Sequence, residues 1–464
     1  MQNLAPPLGV YISIPFCRAK CSYCNFASGV YGADRMAAYV DKLTAEIRDT
    51  PEHAAAWQAA EGRRFVSGHD FSRAVSAAKS RWALAPEACS SGISPEIQPF
   101  STAYWGGQLP GNVDSLYFGG GTPSLLDVNQ LENIVKALKD VFSFDAGAEI
   151  TMECAPGQLS EEMLQAMPSL GFNRVSLGVQ SFVDHEAAAV GRLHTRAITL
   201  KGIDRLRLSG IHDINVDLIA GLPHQTRESW NFSIAEAIAT GVPHLSVYML
   251  DVDEDSRLGR EIIAGGTRYG VGMVPNEQTI AEMYTEAGQQ FGAAEIAQYE
   301  ISNFARAGHR SRHNLKYWTH QPYLGFGLDA HSFLPTGEGE AIRVATTDDL
   351  AAYLDPNIVN SKRVIVTPVS RSEALEEAWF LGLRLNDGVS LAEMTREFGK
   401  SAIAAYRPIL NEASQQGLME YDGRRARLSQ QGRLFANDVF QRFLGVIDSD
   451  ETAAKPIHEQ GVFA

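Results

Sequence analysis

The stretch Tyr11-Ile-Ser-Ile-Pro-Phe-Cys17-Arg-Ala-Lys-Cys21-Ser-Tyr-Cys24-Asn-Phe26 sets three of the chain's five cysteines at the spacing Cys-x3-Cys-x2-Cys. A thiolate is a soft, anionic ligand of the kind that holds iron–sulfur clusters. A cubane cluster has four irons, so three thiolates leave one iron open to a small molecule. Two other readings compete. A single free cysteine is commonly a small buried hydrophobe, and zinc also takes thiolates. Three cysteines landing at these spacings by chance in so cysteine-poor a chain is roughly a one-in-a-few-thousand event. Zinc normally adds a fourth nearby ligand, often from a second Cys-x2-Cys knuckle, whereas the next cysteine here is Cys89. The spacing therefore predicts a metal site of Cys17, Cys21 and Cys24 holding a 4Fe–4S cluster.

Outward from this loop the chain alternates. Val10–Ile14 is a β-former run leading into the cysteines. Met36, Tyr39, Val40, Leu43 and Ile47 recur at helical spacing within Arg35–Arg48. Further strand candidates are Ser115–Phe118, Glu149–Glu153, Arg174–Gly178, Ile214–Ile219 and His244–Leu250. The helical patterns between them are Asp127–Phe142, Ser160–Met167 (stopped by Pro168), Thr195–Ser209 and Thr226–Thr240. Apolar strands alternating with helices predict a parallel sheet buried on both faces. Six βα units fall short of the eight of a closed barrel, so the expected architecture is α/β, an open partial barrel.

Ligand groups in such a sheet belong at the C-terminal ends of the strands. The first strand delivers the cysteines, the second Gly119-Gly-Gly-Thr-Pro-Ser124, the third Glu153, the fourth Gln180, and the fifth Asp217 before Gly221-Leu-Pro223. The glycine run lets a backbone approach a ligand closely. It is no P-loop, because the Lys-Ser/Thr ending is missing.

Taken with the aromatic before its last cysteine, the loop resembles that of radical S-adenosylmethionine (SAM) proteins. Its flank Tyr-Ile-Ser-Ile-Pro-Phe-Cys is similar to the oxygen-independent coproporphyrinogen dehydrogenase group, including its haem-chaperone (HemW) branch. The resemblance spans residues 8–50 and 113–445. It implies a cluster whose open iron chelates SAM, and one electron that splits SAM to methionine and a deoxyadenosyl radical. Gly120, Gly121 and Thr122 match the segment that cradles the methionine amino group. Glu153, Gln180, Arg192 and Asp217 match the family's polar SAM contacts, and Tyr11 and Tyr23 match residues lining the adenine and the cluster. Carboxylates suit ribose hydroxyls and an ammonium, and an arginine suits a carboxylate. Each of these residues alone would as readily be a helix cap, a surface ion pair or plain packing.

Composition narrows the partners. The 464 residues carry a net charge of −15, which repels a phosphate backbone, so nucleic acid is not an expected partner. No run reaches the ~18 apolar residues of a membrane span, and the first seven residues lack a signal-peptide pattern. A sparse, odd set of cysteines argues for a reducing cytoplasm. Peripheral membrane contact stays open. Residues 1–50 and 113–250 form the expected barrel core. Residues 51–112, rich in Ala and Ser with scattered Trp57, Trp82 and Trp105, read as a partly disordered insertion, being too long for an ordinary connection. Residues 251–371 extend the barrel, with a helix over Ala281–Phe291 and an edge strand before Phe304. Residues 372–446 read as helices and a hairpin (Leu418–Leu428), a small winged-helix-like α+β domain that resembles the family's C-terminal, substrate-covering cap. Its wing carries Arg424, Arg425 and Arg427 among flanking acids. The tail over 447–464 reads as disordered.

Two features separate the branches. Coproporphyrinogen dehydrogenases carry a further cysteine two places after the third, where this chain has Phe26; the usual Asp-Phe of the haem chaperones becomes Asn25-Phe26. His313-Asn-Leu-Lys-Tyr-Trp318 resembles the chaperones' His-Asn-x-x-Tyr-Trp element, which implies a haem-binding role for His313. By itself that imidazole would read as a hydrogen-bonded structural residue. Haem binding and delivery to an acceptor protein, with an electron donor for the cluster, is thus the expected function. The alternative is oxidative decarboxylation of coproporphyrinogen III, and a plain iron–sulfur electron carrier is a third reading that the SAM-contact set disfavours.

Overall fold

The computed structural model describes residues 6–50, 112–337, 339–358 and 363–447. The expectations placed on 51–111 and on the tail from 448 lie outside the described residues. The chain divides into two compact units, Met1–Leu334 with Arg343–Thr367, and Pro335–Ile342 with Pro368–Ala464.

In the first unit the six expected strands are present: β1 (Leu8–Ile14), β2 (Val113–Gly120), β3 (Phe144–Cys154), β4 (Arg174–Gln180), β5 (Asp213–Ala220) and β6 (His244–Met249). They pair in parallel, each with the next. The edge after β6 is closed by two short antiparallel strands, β7 (Ala297–Gln298) and β8 (Asn303–Ala305), with β8 against β6. On the other edge β9 (Tyr323–Phe326) adds a seventh parallel strand alongside Gly9–Ile12. Between the strands run α1 (Ala33–Arg48), α2 (Val128–Val141), α3 (Glu161–Leu170), α4 (Asp184–Ala189), α5 (Arg196–Leu208) and α6 (Arg227–Ala239). After β6 come α7 (Arg257–Ile263), α8 (Glu277–Ala293) and, after β8, α9 (Arg312–Trp318).

Local chemistry sets these boundaries. Asp127 and Gln130 close a reciprocal capping box on α2, and Thr195 and Thr226 cap α5 and α6. The expected stop of α3 at Pro168 is corrected. The helix runs on to Leu170, because a proline in the last turn removes a single amide bond and the left-handed Gly171 (φ 101°) provides the terminus.

The two sheet faces differ in kind, which corrects the expectation of apolar burial on both. Outward-pointing Val10, Ile12, Phe118, Met152 and Val216 are fully buried beneath the helices. Their neighbours point the other way and are polar or aromatic: Tyr11, Ser13, Ser115, Tyr117, Thr151, Glu153, Ser176, Asn215, Asp217, Ser246 and Tyr248. Tyr11, Tyr117, Glu153, Asp217 and Tyr248 keep partial exposure. The concave face of the sheet is therefore a wettable, aromatic-lined hollow, and the hydrophobic core lies between sheet and helices.

The second unit has helices Arg371–Gly382, Leu391–Phe398, Lys400–Ala405 and Arg407–Gln415, a three-stranded antiparallel sheet including the hairpin Met419–Tyr421/Arg425–Leu428, and two short helices after it. Its core is aromatic: Trp379, Tyr406 and Phe443 are fully buried and mutually packed. At the wing, Arg427 pairs with Glu420 and Arg425 donates to the carbonyls of Asp387 and Gly388. Two of the three arginines are thus engaged within the unit rather than presented to a polyanion.

Candidate functional site

The loop that follows β1 is closed at its base. Cys17 N–H donates to Gly29 O (2.9 Å), and Gly29 N–H donates back to Pro15 O (2.9 Å). Its far side is held by neighbouring segments. Ser22 N–H donates to Val190 O, Leu258 N–H donates to Ser22 O, and Asn25 Nδ2 donates to Asp253 Oδ2 (2.9 Å). The three cysteines are therefore fixed on a loop anchored at both ends.

The glycine run after β2 packs against the base of this loop. Gly120 has φ 101°, and a Cβ on Gly121 would lie 2.7 Å from Phe16 O and 2.9 Å from Ile14 O. Only a bare α-carbon allows that approach. Gly121 and Thr122 N–H groups donate to Ile14 O and Phe16 O, and the Thr122 hydroxyl lies 3.8 Å from Cys17 Sγ. These two amides thus serve the loop itself.

Arg192 joins the cysteines to the strand ends. Its Nη1 donates to Cys21 Sγ at 3.5 Å and its Nη2 to Gly178 O. A side chain on Gly178 would sit 2.8 Å from Nη2, so that glycine makes room for the guanidinium. The cation lies against the Cys21 thiol, while burial pushes the pKa of the Cys24 thiol up against the opposing influence of the Phe26 amide and Lys20. Asp217 lies in the field of Arg192 and accepts hydrogen bonds from Ser176 Oγ (3.0 Å) and Asn215 Nδ2 (2.7 Å). Burial nevertheless raises its pKa. Glu153 accepts from Tyr117 OH at 2.9 Å. Burial, reinforced by Asp217, lifts its carboxyl to about 7.

The structure thus brings Cys21, Arg192, Asp217, Glu153 and Gln180 to one rim. Gln180 sits there in a left-handed conformation (φ 68°), a strained geometry for a non-glycine residue. Gln180 Oε1 and Arg192 Nε are buried without a hydrogen-bond partner. Tyr23, Tyr248 and Leu250 pack against the buried cluster of Val190, Ile219 and Leu222, an apolar wall beside the loop. Orphaned donors and acceptors, a thiol-facing cation and an apolar wall fit a cluster carrying a zwitterionic, partly aromatic ligand such as SAM. Among the described residues no three His, Cys, Asp or Glu side chains converge as a single ion requires. A cubane spreads its ligands over three corners and makes no such demand.

Two sequence candidates lie elsewhere. Tyr11 and His313 belong to the floor of the hollow, where Tyr11 stacks near Tyr117 (6.1 Å) and His313 on Tyr117 (5.2 Å). His313 is 1% exposed, with Nδ1 3.1 Å from Ser115 Oγ and Nε2 2.9 Å from Tyr317 OH. Burial, with Lys316 nearby, lowers its pKa to about 3, so the ring is neutral. Neither nitrogen is free for iron in this arrangement, and a ligand role requires the partly exposed Tyr317 to move. The residues that support the rim from below (Tyr117, Ser176, Asn215, Tyr248) were not singled out from sequence. The period-two polar pattern on β2, β4, β5 and β6 is the signal that carries them. Cys154 is buried on the outer face, its thiol pushed up to about 12 by burial, and is chemically quiet.

Comparison with known proteins places this arrangement. The radical SAM superfamily model matches residues 104–235, and the HemN C-terminal domain model matches 369–435. A protein named heme chaperone HemW from Synechocystis sp. is 31% identical over 84% of this chain and 80% of its own length. One so named from Lactococcus lactis is 27% identical over 95% of this chain and 98% of its own. The structure of coproporphyrinogen III oxidase (HemN) from Escherichia coli, described as a radical SAM enzyme, superposes with a TM-score of 0.72 at 20% identity, over 96% of this chain and 92% of that one. The chain belongs to the HemN-like family of the radical SAM superfamily, in its heme chaperone HemW branch.

Proposed function

We propose that this protein is a radical-SAM haem chaperone, which binds haem and passes it to an acceptor protein. The observation that carries the reading is the similarity, over nearly the whole chain, to proteins named heme chaperone HemW. Geometry supports it in two ways. Position 26, where the decarboxylases carry a further cysteine, holds a phenylalanine that is 42% exposed. The hollow is lined by Tyr11, Tyr117, Tyr248 and Tyr317, flat surfaces suited to a tetrapyrrole.

In this reading Cys17, Cys21 and Cys24 hold the cluster, which supplies one-electron chemistry to bound SAM. Arg192, Gln180, Glu153 and Asp217 bind and orient SAM, Gly120, Gly121 and Thr122 close the rim around it, and Tyr23 and Tyr11 line its surroundings. His313 is the haem-binding candidate on the floor, engaged only when Tyr317 releases it. A protein electron donor and a cytoplasmic location complete the proposal. Among the described residues no helix is long and apolar enough to cross a membrane.

The deciding experiment reconstitutes the cluster anaerobically, then titrates haem and separately supplies coproporphyrinogen III with SAM and reductant. Saturable haem uptake without protoporphyrinogen formation is expected. Protoporphyrinogen would instead establish the decarboxylase alternative. Failure to bind haem would end the chaperone reading, and full cluster absorbance in Cys24→Ala would end the ligand assignment.

A further inference from the structure

Asp217 reaches the rim from β5, and behind it stands a set of buried polar groups that the rim itself does not use. Asn215, two residues back on the same face, pairs across the sheet with Ser176 on β4 and with His244 on β6. Ser246 pairs in turn with Asp217 and with Asn303 on β8. Asn215, His244, Ser246, Tyr299 and Asn303 are all buried, so their polar atoms find partners among themselves.

Charge fixes the direction of these bonds. As a carboxylate Asp217 only accepts, so the Asn215 amide turns Nδ2 toward Asp217 Oδ1 (2.7 Å) and Ser176 Oγ (2.8 Å). Ser176 Oγ donates on to Asp217 Oδ2 (3.0 Å). Both oxygens of Asp217 are therefore supplied through one amide. That orientation leaves Asn215 Oδ1 facing His244 Nδ1 at 2.6 Å, so Nδ1 carries the proton and Nε2 accepts from Tyr299 OH at 3.0 Å. Ser246 does not stand in for the histidine. Its single hydroxyl proton goes to Asn303 Oδ1 (2.7 Å) rather than to Asn215 Oδ1 (3.2 Å), because the Asn303 amide nitrogen is committed to Glu300. Donors thus run one way, from Tyr299 through His244 and Asn215 to Asp217, and each bond polarises the next. Burial, helped by Arg174 and His309, lowers the His244 pKa and keeps the ring in the neutral form that this chain of bonds requires.

We propose that His244 is a positioning residue of the SAM site: its Nδ1–H holds the Asn215 amide in the one orientation that presents Asp217 to the ligand with both oxygens fixed. This rests on the reading of Asp217 as a SAM contact. The test is a calorimetric SAM titration of the anaerobically reconstituted protein, with thermal unfolding of the same samples. His244→Asn keeps a donor near the place of Nδ1 and loses the acceptor for Tyr299; His244→Gln does the reverse. His244→Gln should weaken SAM binding about tenfold, the size of effect seen when a group that orients a ligand-holding residue is lost. His244→Asn should stay close to the wild type. In an Asp217→Asn background the two variants should bind alike, since the histidine then has no carboxylate to present. Tyr299→Phe keeps the packing and removes only the proton that fixes the His244 tautomer. It should weaken binding about threefold, and it decides the matter if a His244 variant does not fold. Equal losses in His244→Asn and His244→Gln, or a His244→Gln loss that persists beside Asp217→Asn, would make His244 a packing residue and overturn the proposal. The contrast between the two variants decides alone where Asp217→Asn binds too weakly to titrate. Unchanged affinity in both His244→Gln and Tyr299→Phe would also overturn it, with Asp217 keeping its role. Wild-type affinity in Asp217→Asn would instead remove the reading of Asp217, and the positioning with it.

Discussion

The rim and the floor of the same hollow hold ionisable groups of opposite habit. At the rim, Glu153 is lifted to about 7, while Gln180 Oε1 and Arg192 Nε lie buried without partners. On the floor, His313 is depressed to about 3 with both nitrogens bonded. His313 has completed its hydrogen bonds with neighbouring floor side chains. The rim has left some unmade, at a cost of roughly 1–3 kcal/mol per buried group, and is built for something that arrives. The two regions should therefore respond to pH with opposite signs.

The largest expected effect is at the floor. His313 titrates near 6.5 when unfolded and near 3 when folded, so its contribution to stability is complete above pH 6.5 and is lost as pH falls toward 3. The whole window is worth about 4–5 kcal/mol, and the stretch from pH 6.5 to 5 about 2 kcal/mol. Urea unfolding of cluster-free protein should show that acid slope reduced in His313→Gln. Identical slopes would show that the floor is not what makes the fold acid-sensitive. Next is the rim. Glu153 holds its proton in the folded state from its ordinary value of 4.5 up to about 7, so stability falls as pH rises through that window, by about 3 kcal/mol at pH 8. Glu153→Gln should flatten this alkaline loss and also weaken SAM binding. A variant that keeps the alkaline loss would place its source elsewhere.

Arg192→Ala should follow, weakening SAM binding by roughly 10- to 100-fold, the size of a charge-assisted hydrogen bond. Arg192→Lys should not restore it, because a point charge cannot reach Cys21, Gly178 and a ligand carboxylate at once. Calorimetric titration of the reconstituted protein reads this directly, and a change under threefold would take Arg192 out of the SAM site.

How far sequence could see follows the same division. The strands from β1 to β6 were legible because their outward residues make apolar runs between capped helices, and the rim because each strand ended on a polar or glycine-rich element. The inner face was not separated from the outer one: Ser115/Tyr117, Ser176/Gly178, Asn215/Asp217 and Ser246/Tyr248 alternate with residues so apolar that the run looks buried throughout. Strand β9 was missed for another reason. Four residues after Pro322 carry no pattern of their own, and they become a strand only by pairing with Gly9–Ile12, a contact that local sequence cannot announce. Pro168 misled because a proline's cost depends on its position in the helix. His313 sits in a motif whose resemblance implies a ligand, while its two hydrogen bonds come from Ser115, on a distant strand, and from Tyr317, one turn further along α9.

The smallest effect concerns how the rim is held. Asn25 ties the cysteine loop to the segment after β6 through a single bond to Asp253, whose other carboxylate oxygen accepts from Asp255 N–H. One partly buried hydrogen bond contributes about 1 kcal/mol net. The loop keeps its base bonds at Cys17 and Gly29 and its contacts through Ser22. Asn25→Ala should therefore leave the cluster in place but speed its loss to a chelator by a factor of about five, read as decay of visible absorbance under argon. The same substitution should leave the acid slope of the floor unchanged, since among the described residues no hydrogen bond or ion pair joins Asn25 to His313. An acid slope that moved with Asn25 would join the two regions into one cooperative unit, and the division between a waiting rim and a finished floor would have to be given up.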